Sequence, residues 1–139
     1  MKQLSAAVFF LLVCFYLLIC CSAAYAAPRV YFKNLKNGDK VHSPVKVEIG
    51  LDGMSLAKAG SLGEAEGHHH ILVNKGPIEK GQPIPADEAH LHFGQLQSEA
   101  VVILPPGKHT LTLQFADGLH RSFGKDLSAT VEIEVLPGS

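Results

Sequence analysis

Residues 109–115 read His109-Thr110-Leu111-Thr112-Leu113-Gln114-Phe115. Leu111, Leu113 and Phe115 share a parity with His109, and Thr110, Thr112 and Gln114 fill the places between. Side chains of a strand point alternately to its two faces, so this period of two predicts a β-strand with one apolar face. The same alternation ends the chain over 128–135. There Val131, Ile133 and Val135 turn inward, and Thr130, Glu132 and Glu134 turn outward. It recurs over 45–51, where Val45, Val47, Ile49 and Leu51 oppose Lys46 and Glu48. Residues 29–32, 68–73, 90–93 and 99–104 read as four further strands. Asn37-Gly38, Pro105-Pro106-Gly107 and Asp117-Gly118 supply tight turns between them.

About seven short strands with turn signals between them predict an all-β fold, an Ig-like antiparallel β-sandwich. No internal repeat, useful helix or interdomain linker interrupts residues 27–139, which read as a single domain. Without a disulfide or a tryptophan it does not match the antibody type of sandwich. Two stretches are left as loops. Residues 52–67 are rich in Gly, Ala and Ser, with one helical turn expected near Leu56-Ala57-Lys58. Residues 74–89 carry Gly76, Pro77, Gly81, Pro83 and Pro85, and a loop of that length in a compact domain is usually functional.

The first 26 residues differ from the rest. Lys2 is the only charge before Arg29, an apolar run follows it, and Ala24-Tyr25-Ala26 has the small-x-small form of a cleavage site. This predicts a secretory signal peptide over 1–26 and a secreted or periplasmic domain over 27–139, free of the membrane after cleavage. An uncleaved anchor would use the same apolar run. No basic stop-transfer cluster follows it. A lipidated cysteine would need a small residue before it, and neither Cys20 nor Cys21 has one. All three cysteines, Cys14, Cys20 and Cys21, fall in this leader, so the domain carries no thiolate ligand or nucleophile. The chain has 12 Lys and Arg against 13 Asp and Glu, a net charge of −1, with no basic stripe to bind nucleic acid.

Chemistry is concentrated in the histidines. Gly67-His68-His69-His70 and His90-Leu91-His92-Phe93 sit in expected strands, and His109 and His120 stand singly. Imidazole is the commonest protein metal ligand. By strand parity His68 and His70 share one face, and His90 and His92 share one face. Two such pairs on neighbouring strands could surround a single ion. The candidate metal ligands are therefore His68, His70, His90 and His92, with His109 and His120 as alternates or supports. An all-nitrogen set suits copper or zinc. Glu64, Glu66, Asp87 and Glu88 lie close enough in sequence to bind the ion or to orient an imidazole. Gly60-Ser61-Leu62-Gly63 lacks the flanks of a hydrolase elbow, and no catalytic residue stands out.

These blocks carry a resemblance. Gly67-His68-His69-His70-Ile71-Leu72-Val73, Pro83-Ile84-Pro85-Ala86-Asp87-Glu88, His90-Leu91-His92-Phe93-Gly94 and Leu104-Pro105-Pro106-Gly107-Lys108-His109-Thr110-Leu111 are similar, in order, to the blocks of a small secreted bacterial family, the domain of unknown function 4399. The resemblance implies a secreted Ig-like β-domain with shared histidines and brings no activity with it. One departure follows His92. The family block continues with a further glycine and Gln-Thr, whereas this chain reads Gln95-Leu96-Gln97-Ser98.

Two function classes stand against the metal-binding module. One is a non-catalytic module that binds a small polar ligand or a protein and whose histidines are structural. The other is a metal-assisted enzyme, which would keep an open coordination position and so use three protein ligands instead of four.

Overall fold

A computed structural model describes residues 26–138. The expected leader, with its three cysteines, lies outside the described residues except for Ala26. Among the described residues nine strands form: β1 Arg29–Phe32, β2 Asp39–Val41, β3 Val45–Asp52, β4 Ser55–Leu56, β5 Glu66–Val73, β6 His90–Phe93, β7 Glu99–Val102, β8 Gly107–Ala116 and β9 Ser128–Val135. A single 3-10 turn, Lys125–Leu127, precedes the last strand.

The strands make two sheets. β3 lies between β1 and β7, antiparallel to both. The larger sheet runs β2-β9-β8-β5-β4, with β6 also paired to β5. The fold is the expected all-β sandwich. Two short parallel pairings are added to it, β2 on β9 and β4 on β5. The helical turn expected near Leu56-Ala57-Lys58 is absent. Ser55 N–H donates to Ala65 O at 3.0 Å and Ala57 N–H to Gly67 O at 2.7 Å, so pairing with β5 draws this stretch out straight.

Alternation builds the core between the sheets. Val45, Val47 and Ile49 of β3, with Val30, Ala100 and Val102, pack against Ile71, Leu111, Leu113, Val131, Ile133 and Val135. Each large aliphatic side chain buried here contributes about 1.5–3 kcal/mol. Glu48, Lys46 and Glu99 stay on the outer face, where Lys46 Nζ meets Glu48 at 2.9 Å and Glu99 at 3.6 Å.

The larger sheet has a second covered face. Thr112 and Gln114, the polar parity of β8, are fully buried there. The long 74–89 segment roofs them. Thr112 Oγ1 donates to Lys75 O at 2.8 Å, and Gln114 Oε1 accepts from Ile78 N–H at 3.0 Å. Gln114 Nε2 donates to Gly124 O at 3.0 Å. The roof is itself stitched to the segment after β8 through Gly81 N–H to Ser122 O, Ser122 N–H to Gln82 O and Ile84 N–H to His120 O, all at 2.8–2.9 Å. Buried polar groups need partners, and a roof made of backbone supplies them.

Candidate metal centre

His68 and His70 lie on β5, which runs between β8 on one side and β4 and β6 on the other. Parity turns both toward the roofed face, and both are almost completely buried. On β6, His92 stands directly opposite His70 in the register. On β8, Ala116 stands opposite His68, so the turn that follows Ala116 rises beside that ring. This turn carries His120.

The turn is held by one carboxylate. Asp117 Oδ1 accepts from Leu119 N–H at 2.9 Å and Arg121 N–H at 2.8 Å, and Oδ2 accepts from Arg121 Nε at 2.8 Å. His120 N–H donates to Asp117 O at 2.9 Å, and Asp117 N–H to Arg121 O at 2.9 Å. The backbone of His120 adopts φ of 63°, a left-handed conformation uncommon outside glycine. Gly118 lets the turn lie against the 57–63 loop, because a Cβ there would overlap the Ser61 carbonyl. Gly60 N–H donates to Gly118 O at 2.7 Å across that contact.

The four imidazoles converge. Every pair among His68, His70, His92 and His120 has ring centres 4.8–5.8 Å apart. One nitrogen from each lies within 4.8 Å of the others. His92 Nε2 and His120 Nε2 are 3.1 Å apart. Four imidazoles bound to one ion at about 2.0–2.1 Å in a tetrahedron would place their ring centres about 5.2 Å apart and their nitrogens about 3.4 Å apart. The ring centres and the His92–His120 nitrogens are near those values, and the other nitrogens, within 4.8 Å, would close inward on an ion.

Electrostatics point the same way. Both nitrogens of His68 and Nδ1 of His70 are buried with no hydrogen-bond partner among the described residues. An unpaired buried polar atom costs about 1–3 kcal/mol, so a cluster of them is expensive unless something binds it. Burial, followed by the neighbouring imidazoles His120 and His92, lowers the His68 pKa to about 4. Burial and the same kind of crowding by His68, His92 and His120 bring His70 to about 2. Burial and His120 lower His92 as well. These rings are therefore neutral near pH 7, the state that binds a metal.

The remaining histidines lie outside this group. His90 shares the parity of His92 but faces Leu72 across the ladder. Its Nδ1 donates to Asp87 Oδ1 at 2.7 Å, which holds the Asp87 carboxyl below its usual range. With His70, His92, His120, Ile84 and Ala86, it lines a pocket of about 290 Å³ beside the cluster. His109 sits toward the opposite end of β8. There its Nε2 bonds Pro105 O at 2.9 Å and its Nδ1 faces Asn74 Nδ2 at 3.2 Å, which makes it a clasp between two loops. His69 turns to the other face of β5 and packs on Phe115 with ring centres 5.1 Å apart. His42 is exposed.

The carboxylates do not join the cluster. Glu66 closes the 61–66 turn, accepting from Ser61 Oγ and from Gly63 N–H at 3.0 Å, and Glu64 and Glu88 are exposed. The carboxylate that serves the site is Asp117, which the sequence reading treats only as a turn residue. Its sequence signal was Asp-Gly followed at short range by a histidine. Burial tends to raise its pKa, but the Arg121 N–H and guanidinium and the Leu119 N–H outweigh this and hold it ionised below the usual range. The departure Gln95-Leu96-Gln97-Ser98 forms a turn in which Leu96 has φ of 65° and stays exposed, outside the cluster.

A family model described as Domain of unknown function (DUF4399) matches residues 47–136, a span that contains all four clustered histidines. No curated protein and no solved structure matches the chain.

Proposed function

The chain belongs to the DUF4399 family of domains of unknown function, and on that premise we propose that it is an exported, non-catalytic module that holds one transition-metal ion, zinc or copper. The ion sits between His68, His70, His92 and His120. The observation that carries this reading is the pairing of mutual ring contacts with orphaned buried nitrogens. Orphaned nitrogens alone do not mark a ligand, since His69 on Phe115 also leaves both of its own unpartnered; what sets the four apart is that their rings converge on one point, whereas His90 and His109 turn to Asp87 and Pro105.

Four protein imidazoles fill a tetrahedral shell, which suits a carrier or structural site more than a catalytic one. Export follows from the leader over 1–26. Isothermal titration of the metal-free protein with Zn(II) and with Cu(II) at pH 7.5 tests the proposal. One ion per chain is expected, and a His70→Ala/His92→Ala double variant should lose it. Binding that survives in the double variant, or no binding by the native chain, overturns it.

A further inference from the structure

Resting on that reading, we infer that the site is built for a tetrahedral ion, Zn(II), and forces a tetrahedral shell on Cu(II) instead of yielding to copper's own preference. Affinities of nitrogen sites for divalent ions usually peak at Cu(II), so only geometry can favour zinc. Cu(II) prefers a tetragonal, near-planar set of nitrogens. Four imidazoles in a plane would put neighbouring ring centres about 4.5 Å apart and opposite ones about 6.4 Å apart. The longest separation here is 5.8 Å, between His70 and His120, and no pair is as short as the planar neighbours.

The shell cannot flatten easily. His68 and His70 are held in the β5–β8 ladder, opposite Ala116 and Gln114 of β8. His92 is held opposite His70 by β6. His120 is the only one of the four off a strand, so it alone could swing into a plane. The Asp117 carboxylate prevents that, because its three hydrogen bonds lock the turn. Ile84 N–H on His120 O and Gly60 N–H on Gly118 O pin the turn from two further sides. Asp117 is therefore a positioning residue that acts through His120.

The test uses full-length protein loaded in turn with Zn(II), Co(II) and Cu(II). Co(II) should give the intense visible bands of a tetrahedral centre. Cu(II) should give an electron paramagnetic resonance spectrum with the reduced copper hyperfine splitting of a flattened tetrahedron. In Asp117→Ala, zinc affinity should fall about 10–100-fold, copper affinity should fall less, and the copper spectrum should become tetragonal. If that variant does not fold, Asp117→Asn keeps one acceptor oxygen for the turn's N–H groups but not the contact to Arg121 Nε, and should move in the same direction by less. A tetragonal copper spectrum in the native protein, or weak octahedral cobalt bands, overturns the inference while leaving metal binding intact. Failure of every ion to bind removes the site and the inference together.

Discussion

Acidifying the metal-free protein from pH 7.5 to 5.5 should cost it much of its stability. Burial above all holds His68 and His69 near pKa 4 and His70 near 2, whereas each titrates near 6.5 in the unfolded chain. The unfolded state thus takes up protons that the folded state refuses. Stability from these groups is complete above the unfolded pKa and is lost as pH falls below it, down to about 4 for His68 and His69 and to about 2 for His70. Integrating the proton uptake of one such histidine over this range gives about 1.4 kcal/mol, and three give about 4 kcal/mol. A domain of this size has about 5–15 kcal/mol in all, so the loss is large. All three residues are at most 2% exposed, so solvent screening does little to reduce it. Urea unfolding in EDTA at the two pH values measures it. His69→Leu provides an internal control, because His69 packs on Phe115 away from the cluster. That variant should lose about one third of the pH dependence and keep its metal binding. A native chain that loses less than about 1 kcal/mol would refute the linkage drawn from these buried rings.

Zinc at about a hundred times its dissociation constant should stabilise the fold by about 2.7 kcal/mol, read as a rise in melting temperature that EDTA reverses. His68→Ala should weaken zinc binding at least about a hundredfold by titration, since removing a ligand exceeds the loss of a supporting contact. His109→Ala should leave zinc affinity unchanged and cost about 1 kcal/mol in urea unfolding, because it only opens the clasp between Asn74 and Pro105. Gly118→Ala should cost about 1–3 kcal/mol and also weaken zinc binding, because the added methyl collides with the Ser61 carbonyl and displaces the turn that bears His120.

The sandwich was legible because alternation is a local property: Val45, Val47 and Ile49 meet the core as their parity requires. The sharing of one face by His68 and His70 is legible for the same reason. Their partners are not. Both His90 and His92 have the right parity, and only the offset of β6 against β5 puts His92 beside His70 and His90 beside Leu72. Register between distant strands is a tertiary property with no local trace. His120 was harder still, since it reaches the cluster through a left-handed turn and not through a strand. Ser55 and Leu56 show local preference overruled by pairing with β5. Thr112 and Gln114 show polar parity buried by a roof whose path a loop sequence does not specify.

The run of three histidines on β5 has a bearing on alignment during folding. His69 belongs to the interior of the sandwich, while its two neighbours belong to the four-imidazole cluster that could hold an ion. A slip of β5 by one residue would reverse those assignments, offering one ring to the ion and burying two in an apolar interior. An ion that demands both neighbours would penalise the misaligned arrangement, so coordination would also serve as a gauge that admits only the correctly threaded sheet.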